Sequence, residues 1–188
     1  MATLDLIPEH RVLLVLSPGF EEIEAVTAID ILRRASIHVT TASLDQNTRV
    51  TGSHAIPIEA DTLLSQVNPD DFTVLVLPGG MRGVENMLLS DHLKNVILTM
   101  HQKNAILAAV CAAPLVYDSL QLLDGREFTC HPCIWDRISH PAQDVPTVTD
   151  GPFVTGRSAG CAMPWSLALV EKLLGELPSK LLPGLRLP

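Results

Sequence analysis

The chain has 188 residues, 47% of them hydrophobic and 18% charged, with 13 basic against 21 acidic residues for a formal charge of −8. A chain of this size removes roughly 70% of its unfolded surface from water around one core, and its apolar content excludes disorder as the main state. The acidic balance and the lack of a Lys/Arg cluster argue against a dedicated nucleic-acid binder.

Residues 11–17 form a continuous apolar run with β-branched members, the pattern of a strand covered on both faces, and Pro18 and Gly19 end it. From Glu21 the positions Ile23, Val26, Ile29 and Leu32 recur at helical spacing up to Arg33 and Arg34, with acidic residues in the first turn and basic ones in the last. Residues 37–43 alternate like a strand, residues 50–58 have room for one or two short strands, and Asp61 is placed to cap a helix through Val67. Residues 73–77 read as a second buried strand closed by Pro78, Gly79 and Gly80, followed by helical patterns over 84–89 and 91–103. Residues 105–110 resume the sheet, and a helix is expected from Cys111 to about Leu122, then a short strand at 127–129. Residues 147–149 and 153–155 flank Asp150-Gly151 as a hairpin, residues 161–174 read as a last helix, and 175–188 as a tail. This alternation predicts one α/β domain over 11–174, after an N-terminal extension of 1–10, built on a mostly parallel sheet.

No apolar run reaches the roughly 20 residues that span a bilayer, and Asp5, Pro8 and Glu9 interrupt the stretch a signal peptide would need. A cytoplasmic, membrane-free protein is expected. Four cysteines are too sparse for a disulfide scaffold and point to free thiols in a reducing compartment.

In an open parallel sheet, ligands bind beyond the carboxyl ends of the strands, so the loops at 17–24, 77–80 and 109–114 should meet. The third carries most information. Ala109-Val110-Cys111-Ala112-Ala113 is a small-x-nucleophile-x-small pattern between a strand and a helix, the arrangement of a nucleophile elbow. A thiol there would meet unpaired N–H groups and a helix dipole that favour the thiolate; the alternative is a buried, inert cysteine. Gly79 and Gly80 let backbone approach a ligand, with Ala112 N–H as a second donor to an oxyanion, or they simply turn the chain. Glu21 and Glu22 read as complements of the helix dipole, whereas Glu24, one turn in, could cross the sheet end toward Cys111 and share a proton with it. His131 lies within Cys130-His131-Pro132-Cys133. That pair resembles a thiol-disulfide motif or half of a zinc site, but the surroundings lack the activating helix start and a second ligand pair. His10, His38, His54, His92 and His101 are scattered and receive no role.

These residues, in order, resemble the ThiJ/PfpI superfamily and within it the branch of the parkinsonism-associated protein deglycase. The likeness runs from Arg11 to about Leu174 through G-F-E-E-I-E-A-V, the V-L-P-G-G loop, the A-A-V-C-A-A-P elbow and the T-C-H-P stretch. It implies a flavodoxin-like three-layer α/β sandwich, usually a homodimer. It also implies Cys111 as nucleophile, Glu24 as its hydrogen-bonded acid/base, His131 near the site, and Gly80 and Ala112 as oxyanion donors. No metal or organic cofactor is implied. The substrate class would be a small 2-oxoaldehyde such as methylglyoxal or glyoxal, or its early adduct on a protein side chain, converted without glutathione. The alternative is a redox-sensing or chaperone-like protein switched by oxidation of Cys111 to sulfinate. Ala113, Met81 and Pro164 depart from the branch, which commonly has Gly, a polar residue and an acidic residue there; Ala113 is expected to tighten the turn.

Overall fold

The computed structural model describes residues 7–178 and 184–185. Its frame is a seven-stranded sheet in the order β5-β2-β1-β6-β7-β9-β8. The strands are β1 (Ile7–Leu16), β2 (Ile37–Ser43), β5 (Thr62–Leu63), β6 (Val74–Leu77), β7 (Ile106–Val110), β8 (Thr147–Asp150) and β9 (Phe153–Gly156). All neighbours pair in parallel except β8 with β9. A separate two-stranded ribbon joins β3 (Arg49–Thr51) to β4 (Pro57–Glu59) in antiparallel register.

The uninterrupted apolar strands follow from coverage on both faces. Leu13, Val15, Leu75, Leu77, Leu107 and Ala109 point into one layer, packed with side chains of α2 (Met81–Leu89), α3 (Asp91–Gln102) and α4 (Pro114–Asp118). Their neighbours Val12, Leu14, Leu16, Val74, Val76, Ala108 and Val110 point into the other, against α1 (Glu22–Arg34) and α5 (Ala162–Leu174). Period-two alternation thus gives two cores on one sheet, a flavodoxin-like sandwich of three layers. The Asp150-Gly151 hairpin forms, with Gly151 at φ 54°.

Several local expectations are corrected. β1 begins at Ile7 rather than Arg11, with a register irregularity between Ile7 and Arg11 where Pro8 has no N–H for the ladder. Residues 1–6 lie outside the described residues. Asp61 does not cap a helix: its carboxylate takes the N–H and hydroxyl of Thr41, at 2.7 and 2.8 Å. The chain there makes β5 and a single 3₁₀ turn, Leu64–Gln66. The helix after the elbow ends at Asp118, not near Leu122, because Gln121 turns left-handed at φ 60°. Residues 127–129 form no strand; Glu127 N donates to Asp150 and Thr129 N to the Thr155 hydroxyl, so side chains replace the ladder. Within the tail, Gly175 caps α5 at φ 77° and Leu177 and Leu185 pack on the α1/α5 core; the rest of the tail lies outside the described residues. No helix among the described residues is long and apolar enough to cross a membrane.

Candidate active site

The sheet order branches between β1 and β6: the chain fills one side with β2 and β5, then crosses to β6, β7 and β9. Such a switch point leaves a crevice at the carboxyl ends of the strands. Glu24 arrives there on α1 after β1, Gly79 and Gly80 after β6, and Cys111 after β7, so the three loops named from sequence do converge.

Cys111 sits at φ 62°, a left-handed conformation costing a non-glycine residue about 1–3 kcal/mol. Backbone bonds hold it there: its N–H donates to Gly156 O at 2.9 Å and its carbonyl accepts from His131 N at 2.8 Å. The sharp bend aims the sulfur at Glu24, with which it hydrogen-bonds, and at the N–H groups of Ala112 and Gly80. Ala113 adopts an ordinary right-handed conformation, φ −65° and ψ −27°, in which alanine is at ease; the turn needs no glycine at this point.

Glu24 is fully buried. Its Oε2 accepts from Gly79 N at 2.7 Å, while Oε1 is buried without a conventional hydrogen-bond partner. A carboxyl so poorly solvated keeps its proton: burial pushes Glu24 up to about 7, the Glu21 charge adds to this, and the bonds from Gly79 and Cys111 only partly oppose it. The thiol is not lowered as expected. Burial, then the Glu24 charge and hydrogen bond, push Cys111 above the usual thiol range, against the N–H groups of Ala112 and Gly80. The expected helix dipole is small, since α4 has 5 residues and begins at Pro114. The two groups are therefore coupled: a charge on Glu24 makes the thiol hold its proton more firmly, and a thiolate is favoured here only beside a protonated Glu24.

Gly79 and Gly80 have different uses. The N–H of Gly79 is spent on Glu24, whereas the N–H groups of Gly80 and Ala112 face the sulfur. A Cβ on Gly79 would lie 2.7 Å from both Cys111 Cβ and Glu24 Oε2. Gly80, at φ 88°, has Glu21 N where its Cβ would go, at 2.7 Å.

His131 reaches the site through its backbone. Its Nδ1 accepts from Cys133 N at 3.1 Å, and no bond joins its ring to Cys111 among the described residues. Cys130 is buried and Cys133 exposed; burial, then the Cys133 and Asp118 charges, push Cys130 up to about 12. None of the four cysteines is in a disulfide.

Sequence reading passed over the supports of Glu24. Glu21 caps α1 by accepting Glu24 N at 2.8 Å. Glu22 gathers His54 N, His54 Nδ1, Ser53 Oγ and Ile56 N, tying the 52–56 loop to the helix start. The signal was the E-x-x-E spacing, which resembles a capping box, except that Glu24 turns its carboxyl toward Gly79. Glu21, Glu22 and His54 form the one three-residue group of metal-ligating type among the described residues; Glu22 is already saturated by its loop.

The model of the DJ-1/PfpI family matches residues 10–172. Among curated relatives, protein DJ-1 homolog B of Arabidopsis thaliana is 36% identical over 88% of this chain, which spans 39% of that protein's length. Protein dj-1beta of Drosophila melanogaster is 35% identical over 87% of this chain and 89% of its own. Its crystal structure superposes with a TM-score of 0.85 over 95% of this chain and 98% of that one, at 33% identity. A protein of Pyrococcus abyssi named a deglycase is 30% identical, over 87% of this chain and 99% of its own.

Proposed function

This chain belongs to the DJ-1/PfpI family, and from that membership we propose that it is a cysteine-dependent, cofactor-free glyoxalase or protein deglycase acting on small 2-oxoaldehydes or their early adducts on protein side chains. The observation that carries this reading is the buried pair, Cys111 hydrogen-bonded to a Glu24 held up at about 7. The name of the Pyrococcus relative supports it.

With the shared proton on Glu24, the Cys111 thiolate attacks the aldehyde carbon, forming the C–S bond. The resulting oxyanion is met by Gly80 or Ala112 N–H and takes up the proton to give a hemithioacetal. Glu24, now a carboxylate, removes the hydrogen from that carbon and returns it to the neighbouring carbon, whose carbonyl becomes a hydroxyl through an enediol. One carbon is oxidised and its neighbour reduced, so no external electron acceptor enters. Water cleaves the thioester, releasing a 2-hydroxyacid and restoring the thiol. In the deglycase form the aldehyde carbon is first attached to a Cys, Lys or Arg side chain, which departs as the leaving group.

Ile23 and Val26, one turn apart on α1 and 59% and 49% exposed, support a homodimer with this apolar face covered by a second copy. The composition supports a cytoplasmic setting. A second reading, oxidation sensing, is favoured by the same donors: Gly80 N–H, Ala112 N–H and a protonated Glu24 surround the sulfur where sulfinate oxygens would lie.

The deciding measurement is steady-state turnover of methylglyoxal by metal-free, glutathione-free protein beside Cys111→Ser. Hydroxyacid formed by the native protein and lost in the variant is the expected result. Equal rates in both would sink the enzyme reading, and peroxide titration with peptide mapping at Cys111 would then test the sensor.

A further inference from the structure

Glu21 is not used by the proposed chemistry, yet it closes a ring of hydrogen bonds with two residues of the site. Glu21 N–H donates to Gly79 O at 3.0 Å. Gly79 N–H donates to Glu24 Oε2 at 2.7 Å. Glu24 N–H donates back to Glu21 Oε2 at 2.8 Å. The Glu21 side chain is 12% exposed, so its charge stands beside Glu24 with little water to screen it.

Its residue type is the second observation. Ser, Thr, Asp and Asn are the preferred helix caps, and a neutral serine would satisfy the same N–H. The longer carboxylate adds an anion that the cap does not need. The charged and titratable groups facing Glu24 are Glu21 from its own helix start and Cys111 from the elbow; β6 contributes the neutral Gly79 N–H. On the far side of Glu21, His54 Nδ1 lies 4.0 Å away but is 3.0 Å from Glu22, which engages it first.

We propose that Glu21 is a positioning residue for the acid–base carboxyl, its cap fixing Glu24 against Gly79 and its negative charge keeping the shared proton within the pair. The proposal rests on the reading of Glu24 as the proton relay.

The test observes Glu24 without substrate. Carboxyl ¹³C NMR of glutamate-labelled protein, with Glu24 assigned through Glu24→Gln, gives its titration midpoint in native protein and in Glu21→Gln, Glu21→Asp and Glu21→Ser. Glutamine keeps an acceptor for Glu24 N–H and removes the charge, so the midpoint is expected to fall by at least about half a pH unit. Aspartate keeps both and should leave it near the native value. Serine, a good neutral cap, should reproduce the glutamine shift and carries the test if the glutamine variant folds poorly. A midpoint that stays or rises in both neutral variants, or an aspartate shift as large as theirs, overturns the proposal. Because no turnover enters, loss of the methylglyoxal activity alone would sink the function and leave this result standing.

Discussion

Glu22 and Glu24 leave the same turn of α1 and are both buried, yet they rest in opposite states. Burial alone would raise both. At Glu22 it is outweighed by the bonds from the His54 ring and backbone and from Ser53, which bring the carboxyl down to about 2. At Glu24 one strong donor, Gly79 N, is set against burial and the Glu21 charge, and the carboxyl rises to about 7. More donors and a shallower seat at Glu22, against one strong donor and deeper burial at Glu24, separate a structural anion from a proton carrier.

The comparison breaks most sharply by removing each charge. Glu24→Gln is expected to lower turnover by about 10²–10⁴-fold while keeping the fold. Glu22→Gln should leave the chemistry largely intact and cost about 2 kcal/mol of stability, as bonds to a buried anion are weakened. Turnover and urea denaturation of the two variants check this; an inactive but fully stable Glu22→Gln would reverse the assignment.

Each carboxyl also has its own glycine. Gly79→Ala puts a methyl between Cys111 and Glu24 and should cost about 100-fold in turnover, the scale of a misplacement near 1 Å. Gly52→Ala drives its methyl into the Glu22 carboxyl instead and should appear as lowered thermal stability with little change in the intrinsic rate. Equal rate losses would show that the two regions are not separable.

Their pH dependences have opposite signs. Glu22 lies below its ordinary 4.5 when folded, so its stabilisation is fully present above pH 4.5 and is lost as pH falls toward about 2. Glu24 lies above 4.5 when folded, so its contribution is fully present below pH 4.5 and is lost as pH rises through about 7. Glu24→Gln should flatten stability across that upper window, where one proton changes it by up to about 1.4 kcal/mol per pH unit. Stability curves from pH 2 to 9 read both limbs. The smallest effect is expected of exposed His54: His54→Ala takes one donor from Glu22 and should move the acid-unfolding midpoint to higher pH, with turnover unchanged.

The central sheet was legible because Leu75, Leu77 and their neighbours are apolar at every position, which only double coverage explains. The three converging loops followed from strand polarity. Asp61 misled because a carboxylate at a helix cap and one that takes a threonine from an adjacent strand look alike along the chain. The thiol of Cys111 was read from its elbow, but its ionisation depends on Glu24, 87 residues earlier, and on burial that no local spacing encodes. His54 gave no signal, since its partner Glu22 lies across the sheet end.

The rims of the sheet bear on behaviour at high concentration. One edge is closed by β5, a strand of 2 residues that passes straight into a 3₁₀ turn, and the other by β8, 4 residues long and reversed in direction. Both leave little open ladder for another chain to extend. The apolar strands β1, β6 and β7, which would template edge-to-edge aggregation if exposed, are interior members of the sheet, so the order of the strands itself protects the folded protein from extending its sheet through another copy.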